Sequence, residues 1–352
     1  ILSGGNDTEF LNGGSGGADQ LFGGGGTDML FIAENSGQGN YSDDLFDGGA
    51  GTDYLRVSGN VSFAGTLANM EGIWLNPATV GSANTPSIPD AQLTIDAAHA
   101  ASFGANALIR GKGGVIVNGT SPGTINLSGW QFETAPITVT INGSTGNDTI
   151  VGTSLADILN GGDGNDRIVY DASDALDGGA GNDILVIAAG ASLPTSFDLG
   201  AHAFEAAQQT VQDTGANSWA SITNSYNGLW HLTQADTTND DGTRVVVDLD
   251  PENVATTSQV WSVYDSQNHL DSIDQIFDAG GHTFTNFDQA NSSFMASDWF
   301  VYDSQNRLDN EDVYYDDGTR TFINVDEDGS KNWYQDWFAY DAQGHLSSED
   351  VL

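Results

Sequence analysis

The chain has 352 residues, with 49 acidic side chains against 8 basic ones and a formal net charge of −41. Self-repulsion on that scale opposes a compact state without counterions and makes nucleic acid a poor partner. A hydrophobic content of 38 % and 10 % aromatics are too high for a disordered acidic tail, and no apolar run is long enough to span a membrane. The chain has no cysteine, which fits an exposed extracellular protein that neither needs nor risks disulfides.

Residues 1–56 form a first glycine- and aspartate-rich block. Its best-placed aspartates are Asp19, Asp28, Asp44 and Asp53, and the steps from Asp19 to Asp28 and from Asp44 to Asp53 are each 9 residues. The 12-residue step from Asp7 to Asp19 and an insertion at Ala33 to Ser42 break the beat, so Asp7 is the weakest ligand of the block. Residues 57–142 are a β-rich spacer. Short runs such as Ile73-Trp74-Leu75, Val115-Ile116-Val117, Ile125-Asn126-Leu127 and Ile137 to Ile141 alternate with turn residues, which predicts solenoid-like or sandwich-like strands. Ala91 to Phe103 is the one segment here that reads as a short helix.

Residues 143–190 repeat the first pattern more strictly. Asp148, Asp157, Asp166, Asp174 and Asp183 follow at steps of 9, 9, 8 and 9, and two residues after each stands an aliphatic: Ile150, Leu159, Ile168, Leu176 and Leu185. Glycine permits positive φ and close approach of backbone carbonyls, and each Asp adds a hard anionic oxygen. Carbonyl and carboxylate oxygens together suit calcium, while the softer ligands, cysteine and clustered histidine, are missing. The apolar residue needs a buried face, which a short strand after each turn supplies.

Both blocks resemble the RTX, or haemolysin-type calcium-binding, family, whose nonapeptide reads G-G-x-G-x-D-x-U-x with U a large apolar residue. The resemblance implies a parallel β-roll in which the Asp of each turn binds Ca2+ with carbonyls of the same and facing turns. The implied ligands are Asp19, Asp28, Asp44, Asp53, Asp148, Asp157, Asp166, Asp174 and Asp183, with Gly161, Asp163, Gly164, Gly179 and Gly181 in the same turns. It also implies secretion from a Gram-negative bacterium through a one-step, type I channel.

Residues 200–352 carry a second repeat of a different length. Trp261, Trp299 and Trp337 are 38 residues apart, as are Tyr264, Tyr302 and Tyr340, and Leu270, Leu308 and Leu346. Each unit reads as three strands joined by hairpin turns such as Asp316-Asp317-Gly318. Val245, Val247 and Leu249, like Thr321, Ile323 and Val325, are expected to point inward, and the recurring tryptophans to be core. The cadence loosely resembles the Tyr-Asp hairpin repeats of bacterial surface and toxin-shell proteins. The array stops in mid-unit and the first block starts in mid-repeat, so an excerpt of a longer repetitive protein is expected.

Catalytic signals are weak. Gly13-Gly14-Ser15-Gly16-Gly17 satisfies G-x-S-x-G only inside the calcium-type repeat, with no strand-to-helix setting for a nucleophile. No HExxH occurs, and His269 and His345 share a repeat position held by Arg307 in between. Asp326-Glu327-Asp328-Gly329-Ser330 is a possible calcium loop with its glycine misplaced for an EF-hand.

The expectation is therefore an all-β chain: calcium-bound parallel β-roll or β-solenoid blocks followed by an antiparallel β-hairpin array. Its expected role is non-enzymatic, as a secreted, calcium-stabilised adhesin, surface-layer component or extracellular filament subunit. Expected partners are calcium ions, copies of itself or other surface and matrix components, and extracellular polysaccharide. The alternatives are an accessory calcium-binding region of a secreted RTX enzyme or toxin, and a carbohydrate-binding module.

Overall fold

The computed structural model describes residues 1–14, 17–34, 41–77, 90–133, 136–215, 217–287, 295–325 and 334–352. Asp326 to Ser330 lies outside them, as do Ser15 and Gly16. The chain divides into two compact units, one of Ile1–Val186 with Phe197–Ala206 and one of Ile187–Ser196 with Ala207–Leu352.

The first unit is a parallel β-solenoid. Its coils stack so that equivalent aliphatics form unbroken ladders inside: Leu30, Leu55, Ile73 and Ile109 on one side, Ile95, Val117, Ile141, Leu159 and Leu176 on another, Ile125, Ile150, Ile168 and Leu185 on a third. All of these are buried. Strand alternation does the sorting, since every second residue must face the interior. The five aliphatics of the second block's beat are all among the buried residues.

The coils change shape along the axis. Around residues 20–58 each coil has two strands, as in Gln20–Gly26 with Met29–Ala33 and Leu45–Gly51 with Tyr54–Ser58. Through the spacer a third strand is added: Thr66–Ala68, Gly72–Leu75 and Ala91–Asp96 lie in three different sheets. Asp157–Asp163 with Arg167–Val169 and Ala175–Ala180 with Ile184–Ile187 return to two. Ala91–Asp96 is a strand where sequence suggested helix, because Leu93 and Ile95 complete the aliphatic rungs at Val115 and Val117. The helix is only Ala97–Ser102, started by Asp96, whose Oδ1 accepts the His99 N–H at 2.8 Å.

The second unit is an antiparallel meander. After Ala206–Gln212, three-strand repeats follow: Trp219–Tyr226, Leu232–Asn239 and Arg244–Leu249, then Thr257–Tyr264, Leu270–Phe277 and His282–Phe287, then Met295–Tyr302, Leu308–Tyr315 and Arg320–Val325, then Gln335–Tyr340 and Leu346–Val351. One turn of each repeat is closed by a side chain. Oδ1 of Asp265 accepts the N–H groups of Gln267 and His269, and Asn227, Asp303 and Asp341 do the same at the equivalent position of the other repeats. The other turn has a glycine at positive φ, Gly242, Gly280 or Gly318.

An odd number of strands per repeat has a geometric consequence. Each repeat starts with its first strand reversed, and continuing the sheet in the same sense then requires a half-turn about the axis across the strands. That half-turn exchanges the faces. The register shows it: Trp261 is opposite Asp274, Asp274 opposite Phe284, and Phe284 opposite Phe300, so Trp299 lies on the face away from Trp261. Phe300 continues through Glu311 and Ile323 to Trp337, which returns to the face of Trp261. The residue period is 38, but the face period is twice that.

Two expectations are corrected by this geometry. The tryptophans are not core: Trp261, Trp299 and Trp337 are 41 %, 38 % and 38 % exposed. Nor do Val245, Val247, Leu249, Thr321, Ile323 and Val325 line an interior, since of these only Ile323 is buried. Both faces receive the same residue types in alternation, so neither gathers an apolar surface. Each complete repeat instead holds a cross-strand polar pair against a tyrosine: Arg320 pairs bidentately with Asp312 beside Tyr340, Arg244 with Asp236 beside Tyr264, and His282 is hydrogen-bonded to Asp274 and stacked on Tyr302.

Candidate metal centre

The carboxylates of the solenoid form rows parallel to its axis. In the first block the Glu9 N–H donates to Asp28 Oδ1 at 2.8 Å, the Asp28 N–H to Asp53 Oδ1 at 2.7 Å, and the Asp53 N–H to Glu71 Oε2 at 2.7 Å. The second block has the same row through Gly123, Asp148, Asp166, Asp183 and Glu205. On the opposite turns, Asp19 donates to Asp44 and Asp157 to Asp174. Each step is one full coil, which is two nonapeptides where the beat is unbroken, as from Asp148 to Asp166, and longer where residues are inserted, as from Asp28 to Asp53.

One oxygen of each carboxylate is thus committed to the coil before it, and the fate of the other separates the aspartates. Oδ2 of Asp28, Asp53, Asp166 and Asp183 is buried and has no hydrogen-bond donor. The residues carrying these atoms are themselves fully buried. Asp148 and Asp157 differ, because a hydroxyl residue stands where the motif has its second glycine. Ser144 donates its N–H and Oγ to Asp148 Oδ2, and Thr153 donates its N–H to Asp157 Oδ2 and its Oγ1 to Asp157 Oδ1.

The glycines explain what stands near the orphan oxygens. A Cβ on Gly161 would collide with the Gly178 carbonyl oxygen and with Asp166 Oδ2. Gly23 faces the Gly48 carbonyl and lies 2.5 Å, measured from an ideal Cβ, from Asp28 Oδ2. Gly164, Gly179 and Gly181 take φ of 128°, 101° and 149°, which lets successive turns lie carbonyl to glycine. Asp163 is the exposed last residue of its strand.

Burial makes these carboxyls weaker acids. Asp44, Asp53, Asp157, Asp166 and Asp183 are all pushed up by desolvation, and neighbouring carboxylates add to it. Asp174 rises to about 6, first through burial and then through the charges of Asp157 and Asp171. A carboxylate oxygen that is buried, lacks a donor and lies beside carbonyl oxygens has the chemistry of a hard-cation ligand. The donor set therefore fits calcium. It is a mixed set: among the described residues, no three His, Cys, Asp or Glu side chains converge on a common point.

Sequence reading missed three members of the rows, Glu9, Glu71 and Glu205. Asp7 was aligned instead of Glu9, yet Asp7 is exposed and occupies the slot of the motif's third glycine. The signal was present: Leu11, Ile73 and Ala207 stand two residues after the three glutamates, as the apolar residue does after each Asp.

The family model of the RTX calcium-binding nonapeptide repeat matches four times, at residues 3–31, 35–59, 142–174 and 169–191. The two glycine-rich blocks are RTX calcium-binding repeats. No curated protein matches the chain. Among the described residues, no helix is long and apolar enough to cross a membrane.

Proposed function

We propose that this chain is part of a secreted, non-enzymatic surface or matrix protein whose solenoid is locked by calcium outside the cell. The observation that carries the reading is the set of four fully buried aspartates, each holding out one oxygen without a donor. In a calcium-poor cytoplasm these carboxylates repel and the rows stay open, and at extracellular calcium they close, so ligation is coupled to folding. Asp28, Asp53, Asp166 and Asp183 supply the orphan oxygens, and Asp19, Asp44 and Asp174 the carboxylates of the opposite turns. Calcium, when bound, supplies the charge neutralisation that lets these turns pack. The repeat array adds length and two chemically similar faces, which suits a surface-layer, adhesin or filament component.

The test is fractionation of cells that make the protein. It should be found outside the cell in calcium-containing medium and should lose its folded, surface-held form on washing with chelator. Retention in the cytoplasm would refute the reading.

A second reading, polysaccharide binding, is favoured by one observation. The exposed indoles of Trp261 and Trp337 are each oriented by a hydrogen bond from Nε1, to Gln259 and Gln335 at 3.0 and 3.2 Å. A fixed, exposed indole offers a flat face to a sugar ring. Loss of polysaccharide retention in a Trp261→Ala, Trp299→Ala, Trp337→Ala variant would support it.

A further inference from the structure

Both RTX blocks end on the same three-residue device, which lies outside the nonapeptide matches. After the first block it is Asn69-Met70-Glu71, and after the second Ala203-Phe204-Glu205. The first residue of each is a non-glycine in the left-handed region, Asn69 at φ 49° and Ala203 at φ 56°. Such a conformation is uncommon in a residue with a side chain and marks a backbone held by its surroundings. The second residue is buried, Met70 at 2 % and Phe204 at 3 % exposure. The third returns its N–H to the last aspartate's carbonyl, Glu71 to Asp53 at 2.9 Å and Glu205 to Asp183 at 3.1 Å, while its carboxylate accepts that aspartate's N–H.

The left-handed turn has a definite result. It aims the Asn69 carbonyl oxygen at Gly48 and the Ala203 carbonyl oxygen at Gly178, where a Cβ could not fit. At both glycines the other neighbour is the orphan carboxylate, with Asp53 Oδ2 and Asp183 Oδ2 each 2.8 Å from the ideal Cβ position. Asp53 and Asp183 are fully buried and those oxygens have no donor. Inside the blocks the equivalent carbonyls come from motif glycines, such as Gly48 opposite Gly23 and Gly178 opposite Gly161.

The geometry assigns to Glu71 and Glu205 the role of terminal ligands: each closes a divalent-cation site between the last motif coil and the coil after it, with Asp53 and the Asn69 carbonyl in one block and Asp183 and the Ala203 carbonyl in the other. The ligand class is a hard divalent cation, calcium, since every contributing atom is oxygen and two carboxylates face each site. The blocks thereby hold one more site each than their aspartates alone would complete. A row that stopped at Asp53 or Asp183 would leave that residue's N–H without an acceptor and its Oδ2 without a facing turn. The assignment rests on the calcium reading of the rows and extends it to residues that the nonapeptide does not include.

The test is a calcium count on the full chain by equilibrium dialysis, with affinities from calorimetry. Glu71→Gln and Glu205→Gln keep an oxygen to accept the aspartate N–H but remove the charge, so a purely structural cap would survive both. Each variant should lose one bound calcium, or have one site weakened at least tenfold, and the double variant two. Glu349→Gln, which removes an exposed charge in the hairpin array, should match the unaltered chain. Far-UV circular dichroism at saturating calcium checks that each variant is folded, and either single variant suffices if the other is not. Unchanged count and affinity in a folded Glu71→Gln or Glu205→Gln chain would overturn the assignment while leaving the rows intact as calcium sites. An unaltered chain that binds no calcium would overturn the reading of the rows themselves and the assignment with it.

Discussion

The Asp148 backbone N–H donates at 2.8 Å to Oδ1 of Asp166, 18 residues further on, and Oδ2 of the same Asp166 carboxylate is sealed from water without any donor. Structural and ligating duties are thus divided between the two oxygens of one side chain. Asp157 has no such division, because Thr153 occupies both of its oxygens. Asp166→Asn should accordingly lower calcium affinity at least tenfold, and Asp157→Asn much less. Calorimetric titration of the two variants checks the order, and equal losses would contradict it.

Proton linkage should act in opposite directions in the two units when calcium is removed. In the folded solenoid Asp174 lies near 6 rather than 3.8, and Asp53, Asp157, Asp166 and Asp183 move the same way. A carboxyl raised on folding contributes stability below its unfolded value that is lost as pH rises through its folded value. In the array, Asp265, Asp303 and Asp341 are lowered, chiefly by the turn N–H groups of His269, Arg307 and His345, so their contribution is lost as pH falls. In chelator, hydrogen exchange resolved by segment should show residues 1–186 better protected at pH 4.5 than at 7.5, and residues 219–352 less well protected at about pH 3 than at 4.5. A common direction for both would be the contrary result.

Much of the solenoid could be seen in the sequence because its coils obey a local rule, glycine turn then aspartate then buried aliphatic, and Ile150, Leu159, Ile168, Leu176 and Leu185 sit where that rule puts them. The strands of the array were equally visible from the 38-residue period. What escaped notice depends on relations between distant residues. Glu9, Glu71 and Glu205 join the rows through a neighbour one coil away, and a pattern keyed to Asp passes over them. The exposure of Trp299 follows from counting three strands and seeing that an odd count exchanges the faces, which no single repeat reveals. Ala91–Asp96 became a strand because the neighbouring coils offer Leu93 and Ile95 their place in a ladder, against a local tendency toward helix.

The ion pairs of the array should differ in value according to how deeply the acid is held. Asp312 has 5 % side-chain exposure and depends on Arg320, whereas Asp236, the partner of Arg244, has 25 %. Removing a cation from a nearly buried carboxylate leaves it desolvated and unpaired, while a more open one recovers water. Arg320→Ala should cost the array about 2 kcal/mol and Arg244→Ala about 1 kcal/mol, read from urea unfolding. Equal costs would show that burial of the acid does not set the value.

The tryptophans give the sharpest test of the face exchange. If Trp299 belonged to a closed core, truncation would cost about 3 to 5 kcal/mol. The half-turn between repeats instead places Trp299 on one face and Trp261 and Trp337 on the other, all three similarly exposed. Only part of each indole's apolar area is lost on truncation, so Trp299→Ala should cost about 1 to 2 kcal/mol. Trp261→Ala and Trp337→Ala should match it, because the half-turn gives each indole the same kind of neighbourhood. Urea unfolding of the three single variants in calcium buffer makes the comparison. A loss at Trp299 of the size expected for a core residue, with smaller losses at the other two, would mean that something covers that face and that the array's two faces are not equivalent.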